Sequence, residues 1–308
     1  MRSVGQTRRR RLSGQALRDH IAGYLFILPW LVGFLAWVAT PMVISIYLSF
    51  TRYNLFSAPV FQGLANYQEL FRDELVIKSL ANTSYYALIG VPIYTATALA
   101  VALLLNQPVR GVSLFRTIYY IPTIVPAVAG TLIWLWIFNS EFGLANMALR
   151  RLGLPPQRWF FDVNQAKPLL ILMNVWAFGP AMVLFLAALQ NVPKELMEAA
   201  LIDGASAWQR FLNITLPMIS PVTFFNLVTG FIGAFQVFTP AYVATGGGPA
   251  NATLFYVLYL YRVAFDFGRF GFAAAMAWLL FVIILALTLL QLHLSRRWVY
   301  YETAPGLE

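Results

Sequence analysis

Apolar side chains gather in six long runs along this chain, at approximately residues 22 to 49, 80 to 105, 117 to 138, 168 to 189, 219 to 243 and 272 to 294. Each reaches the roughly 20 residues that a helix needs to cross bilayer hydrocarbon. Lipid offers no partner to a backbone N–H or C=O, so runs of this length predict helices that satisfy those groups internally. The pattern predicts an all-α integral membrane protein with six transmembrane helices.

Prolines are expected to modify several runs. The first is overlong, and Pro29 and the Thr40-Pro41 step predict kinks that carry its last turns, through Tyr47, beyond the bilayer. Pro122 and Pro126 break the third run early, which serves a solute path or merely kinks a packed helix. The connector at 51 to 79 is mixed in charge. That at 139 to 167 is rich in turn residues and predicts a loop with short helical pieces.

Between the fourth and fifth runs lies a polar interruption, residues 191 to 217. Pro193 suits a first helical turn and Gly204 the left-handed residue past a helix end, which predicts a short helix from about Lys194 to Asp203. At 100° per residue Leu196, Met197, Ala200 and Leu201 share one face, expected to pack inward, while Glu198 projects outward. Ser206 and Gln209 form a capping-box pattern that starts a second helix through Trp208 and Phe211 toward Ile214. Pro217 is expected to stop that helix or open the next span.

Composition agrees with a membrane protein: 60% of residues are hydrophobic and 11% charged, against about 25% charged in soluble domains. Net charge is +9, but six of the 21 basic residues, Arg2, Arg8, Arg9, Arg10, Arg11 and Arg18, lie in the first 20 positions. Such a tail orients a protein against anionic membrane lipid, and nucleic acid is not expected as a partner. Six spans put both termini and the 191 to 217 loop on one side, which holds 12 of the 21 Lys and Arg and therefore reads as cytoplasmic. The chain divides into a basic tail at 1 to 20, a six-span domain at 21 to 295 and a cytoplasmic tail at 296 to 308. Trp298, Tyr300 and Tyr301 read as interfacial anchors. No cysteine is present, so disulfides and thiolate metal sites are excluded.

Several activities lack their residues. Lys78, Lys167 and Lys194 are the only lysines and none follows glycine, so the chain has no P-loop and is not an ATPase. The Gly run at Gly246, Gly247 and Gly248 is followed by no Lys-Ser or Lys-Thr, which disfavours a phosphate cradle. No span carries an acid or base near its centre, which argues against proton or sodium coupling. His20 and His293 stand alone, with no catalytic pairing or metal-ligand spacing. The spans do carry neutral polar groups and aromatics: Asn174 and Trp176 in the fourth run, Asn226, Gln236 and Tyr242 in the fifth. Amides and aromatic faces bind carbohydrate, and the same groups also serve interhelical packing.

The stretch Glu198-Ala199-Ala200, then Asp203-Gly204, then Ile214, Leu216 and Pro217 resembles the EAA loop of ABC-importer permeases. The segments at 61 to 67, 79 to 83 and 115 to 122 are similar to sugar-type members, the maltose and glycerol-3-phosphate kind. The resemblance implies a permease of the bacterial or archaeal cytoplasmic membrane that imports a sugar or polyol, with a cytoplasmic coupling helix between spans four and five. It implies a second, similar permease, a dimeric cytosolic ATPase and an extracytoplasmic solute-binding protein as partners. ATP and Mg would sit on the ATPase, with no cofactor on this chain. An importer of another small polar solute and a non-transporting membrane scaffold remain alternative readings.

Overall fold

The computed structural model describes residues 14 to 108 and 110 to 300. Arg2, Arg8, Arg9, Arg10, Arg11, Tyr301, the side chain of His20 and residues 302 to 308 lie outside the described residues. Three continuous stretches, Ile21–Ser49, Glu74–Leu105 and Phe270–Ser295, and three bent helix pairs have the length and apolarity of membrane spans.

The first span joins α1 (Gly14–Phe34) to α2 (Thr40–Ser49) through a π-helical turn, Leu35–Ala39. Pro41 brings no N–H and its ring crowds the preceding turn, so the helix widens locally: Thr40 N–H and its hydroxyl both donate to Leu35 O. The expected kink is absorbed in this turn and the span runs on for 29 residues. None of its hydropathic window is buried against the rest of the chain.

The connector that follows is more ordered than a loop. A two-stranded antiparallel ribbon, β1 (Thr51–Arg52) with β2 (Val60–Phe61), leads to α3 (Ala65–Leu70). Buried Asn66 donates from Nδ2 to the carbonyls of Ser49 and Thr51 at 2.8 and 2.9 Å, tying the ribbon to the end of the first span.

At the centre stands α4 (Glu74–Leu105), 32 residues long. It starts six residues before the apolar run does, because Asp73 caps it: its carboxylate accepts from Leu75 N and Val76 N. Helices α5 (Val112–Ile124) and α6 (Ala127–Ile137) form the third span and meet at 101°. Pro126 makes the break by holding Val125 extended, whereas Pro122 sits inside α5 without ending it.

Beyond α7 (Leu144–Arg151), α8 (Ala166–Trp176) and α9 (Gly179–Gln190) form the fourth span, bent by 47°. The sequence predicts one continuous helix there. Gly179 explains part of the difference: a Cβ at this position would meet Thr123 Cγ2 at 2.8 Å and Tyr119 O at 3.1 Å, so α9 starts hard against the α5 backbone.

Helix α10 (Lys194–Ile202) and α11 (Ala207–Arg210) form the polar interruption, and a π-helical turn over Phe211–Thr215 carries the chain to α12 (Leu216–Met218). Pro217 does not stop this helix; the chain bends by 63° at Ile219 and continues as α13 (Ser220–Phe235). The fifth span therefore ends eight residues before the expected 243. After residues 236–238 comes the short α14 (Thr239–Ala244), then a Gly-rich turn, α15 (Tyr256–Tyr261), a π-helical turn and α16 (Phe270–Ser295).

Packing follows from α4, which touches α8, α9, α13 and α15, while α16 closes against α2, α3 and α13. One core cluster gathers Tyr86, Val91, Leu170, Phe255, Tyr256 and Met276; a second, with Ala98, Ala102, Phe185, Leu189 and Ile219, lies toward the polar interruption. Gly230 permits close contact of α13 with α4 at Val91 of the first cluster, since a Cβ would meet Val91 Cγ1 at 2.9 Å.

Candidate functional site

Two features stand out: a neutral cleft between broken helices and an exposed elbow at the polar interruption. The cleft has two adjoining parts, of about 500 and 390 Å³, that share Tyr86, Asn174, Ala177 and Pro240. Residues at three helix breaks line it: Thr123 and Val125 at the α5–α6 break, Ala177 at the α8–α9 break, Val237 between α13 and α14 and Pro240 in the first turn of α14. A helix end leaves backbone groups without intrahelical partners, and irregular backbone within a membrane is tolerated where it borders a cavity.

Among the described residues, no carboxylate, amine, guanidinium or imidazole lines either part. The polar groups are hydroxyls and amides. Thr123, Thr131 and Thr229 hydroxyls donate to carbonyls of their own helices at 2.7, 2.7 and 2.8 Å, which leaves their lone pairs as acceptors. Asn226 donates from Nδ2 to Val222 O at 3.0 Å. The Asn174 carboxamide has no hydrogen-bond partner among the described residues and borders both parts. Trp176 is 37% exposed, with its ring edge-on to Trp134.

Of the residues singled out by sequence, Asn174, Trp176 and Asn226 thus line one cleft. Gln236 and Tyr242 do not: Gln236 is exposed just past the end of α13, and Tyr242 stacks on Phe238, with ring centroids 5.2 Å apart. Tyr86, Tyr94, Thr131 and Thr229 line the cleft without having been read from the sequence. They sit within apolar runs, where one polar side chain carries no local signal.

The elbow is built by local chemistry. Asp203 is the C-cap of α10 and Gly204 follows at φ 78°; Gly204 N donates to Leu201 O and Ala205 N to Ala200 O, the two bonds of a Schellman end. Ser206 and Gln209 complete the predicted capping box, with Ser206 N to Gln209 Oε1 at 2.7 Å and Gln209 N to Ser206 Oγ at 3.3 Å. Arg210 reaches back to Ala205 O at 2.6 Å. Three devices therefore hold the angle between α10 and α11.

The inward packing expected for Leu196, Met197, Ala200 and Leu201 is incomplete: Met197 and Ala200 are partly buried, Leu196 and Leu201 are not. No residue of α10 is buried; Leu196 and Leu201 are exposed, and Ile202 is 87% exposed. Glu198 and Ala199 are exposed as well. The root of the elbow, by contrast, is anchored: Val192 and Leu216 pack on the second core cluster, Thr215 is buried, and Ile214 and Pro217 are partly so. A rigid element is held out from the body with Leu196, Leu201 and Ile202 uncovered.

The Gly-rich turn behaves as a turn. Its amides are spent internally, Gly246 N on Tyr242 O, Gly247 N on the Thr245 hydroxyl and Gly248 N on Thr245 O. They form no cradle for an anion.

Known proteins place this architecture. The chain belongs to the family of binding-protein-dependent transport system inner membrane components, whose family model matches residues 78–300. It is a permease subunit of an ABC importer, a transport component rather than a catalytic one. It is 43% identical to the "Probable ABC transporter permease protein YesP" of Bacillus subtilis (strain 168), over 93% of this chain and 94% of that one. It is 35% identical to the trehalose/maltose transport system permease protein MalF of Thermococcus litoralis, over 91% and 95%. The fold is shared with the crystal structure of a bacterial ABC transporter involved in import of the acidic polysaccharide alginate, at a TM-score of 0.81 and 24% identity over 92% and 98% of the two chains.

Proposed function

We propose that this chain forms half of the translocation path for an uncharged sugar or related polyol, and that α10 with α11 is its coupling elbow. The exposed apolar surface of Leu196, Leu201 and Ile202 on a rigid, anchored element is the observation that carries the coupling reading. Uncovered side chains of this kind mark a protein contact. The occupant is the cytosolic ATPase, present as a dimer that binds ATP and Mg, with one subunit on this elbow. The second docks on a similar but distinct permease. Glu198, Ala199 and Ala200 face the ATPase, Asp203 and Gly204 set the angle of approach, and Ile214, Leu216 and Pro217 carry the movement into span five. Both termini lie in the cytoplasm.

A neutral cleft supports an uncharged solute. Hydroxyl groups find amides and hydroxyl lone pairs there, and sugar C–H surfaces find Trp176. An anion would lose its hydration without gaining a countercharge from this chain. Relatives named for trehalose/maltose and lactose transport agree with this class. An extracytoplasmic binding protein delivers the solute to the opposite end of the permease.

Purification of the detergent-solubilised chain with its neighbours tests the coupling reading. The ATPase is expected to accompany the wild type and to be lost from Glu198→Ala combined with Gly204→Asp; retention by both forms counts against it. Uptake competition in proteoliposomes tests the solute class, since neutral saccharides should compete and anionic ones should not.

A further inference from the structure

Where span five begins, proline chemistry removes one helical donor. Pro221 carries no N–H, so the Pro217 carbonyl four residues earlier lacks its helical partner. Ser220 fills the gap, donating from its hydroxyl to Pro217 O at 2.6 Å. This is the point at which the chain bends by 63°, and Ile219 and Ser220 are both buried in the bend.

The same hydroxyl is also an acceptor. Tyr300, which lies past the end of α16, donates its backbone N–H to Ser220 Oγ at 2.8 Å. The chain turns back to reach it because Trp298 N and Val299 N both donate to Ser295 O, at 3.1 and 2.9 Å. The Trp298 ring then stands edge-on to Phe224, with centroids 6.1 Å apart and planes at 77°. Beneath it is a cavity of about 250 Å³ lined by Leu212, Leu216, Pro217, Ser220 and Thr223. A relay therefore runs from Tyr300 N–H through the Ser220 hydroxyl to Pro217 C=O, joining the segment after span six to the last residue of the EAA-like motif.

The relay sits close to the cleft. Phe225 and Asn226 line the cleft, and the six steps from Ser220 to Asn226 cover only about 9 Å of helix. A bend held only by a serine side chain would flex when α10 and α11 are pushed; one tied to span six resists.

We propose that residues 298–300 form a clasp that binds spans five and six to the elbow, so that displacement of α10 and α11 moves both spans as one body. The inference rests on the coupling reading of the elbow. Trp298 and Ser220 act as positioning residues and touch no solute.

The test uses the assembled transporter in proteoliposomes, on a permease that has no native cysteine. The double variant Ser220→Cys, Tyr300→Cys is joined with a short thiol crosslinker before ATP is added. Efficient crosslinking with uptake kept within about twofold of the unjoined form is expected. Failure to crosslink, or uptake abolished by crosslinking, overturns the clasp. Trp298→Ala is expected to lower the solute moved per ATP hydrolysed by about fivefold or more, and Trp298→Phe to restore it; an unchanged ratio in assembled Trp298→Ala overturns the proposal. Should Trp298→Ala fail to assemble, the crosslinking result decides. Failure of the coupling reading is seen separately, as a wild-type permease that retains no ATPase.

Discussion

Trp134 and Trp176 meet edge to face, with ring centroids 5.9 Å apart and planes at 67°, so that α6 and α8 join at the wall of the cleft. The two rings are not equivalent. Trp134 is 8% exposed and Trp176 37% exposed.

That difference separates stability from recognition. Trp134→Ala is expected to destabilise the permease by about 3 to 5 kcal/mol, the cost of emptying a packed aromatic site. Trp176→Ala leaves the fold largely intact and raises the half-saturating solute concentration about tenfold, the order of one lost aromatic contact. Thermal denaturation in detergent and initial uptake rates measure the two effects.

Gly204 has a φ of 78° and open space where a Cβ would stand. Gly204→Ala therefore meets no neighbour and costs about 1 kcal/mol of backbone strain. Gly204→Asp is similarly tolerated in the fold, because Asp accepts the left-handed region better than most residues, but it places a carboxylate at the docking angle. Normal membrane levels with loss of ATPase from the purified complex are expected, with Gly204→Ala intermediate.

Asn82, in the third turn of α4, ties that helix to the Gly-rich connector. Its Nδ2 donates to Asn251 O and Leu254 O at 2.9 and 3.1 Å, and its Oδ1 accepts from Lys167 Nζ at 3.1 Å. Asn82→Ala leaves Leu254 O and Lys167 Nζ without these partners, while Asn251 O keeps the Leu254 N–H, and is expected to cost about 2 to 3 kcal/mol. Protection of residues 250–256 from hydrogen exchange should fall with the melting temperature.

Tyr259 donates its hydroxyl to Asp73 Oδ2 at 2.7 Å. Burial first, then the hydrogen bond and charge of Asp73, raises its pKa above the ordinary tyrosine value. The folded state thus keeps a proton that the unfolded chain releases, so this contribution is fully present below pH of about 10 and declines as pH rises further. Melting temperature against pH should fall on the alkaline side less steeply in Tyr259→Phe than in wild type.

The elbow was legible because its devices are local: Gly204, Ser206 and Gln209 act within a few residues of themselves. Exposure of Leu196 and Leu201 was not legible, since periodicity reports an apolar face without saying what covers it. The break before α9 escaped for a different reason. Its close packing at Gly179 depends on Tyr119 and Thr123, about sixty residues earlier in the chain. Gln236 and Tyr242 stand out in sequence as a polar and an aromatic residue of a fifth run reaching 243, whereas α13 ends at Phe235 and neither residue lines the cleft. Pro126 showed its break in advance; the 101° angle belongs to the packing of α6 on α14.

On the proposed function, a cleft edged by three broken helices would carry part of its recognition surface in the main chain, where helix ends leave carbonyls without intrahelical donors. Peptide carbonyls at such ends are the same whatever residue occupies the position, so they survive mutational drift that rewrites every neighbouring side chain. Such a wall keeps a general affinity for hydroxylated molecules while a few substitutions at positions such as Asn174 or Trp176 redirect it from one to another. New specificities then evolve without first destroying the old capacity to bind.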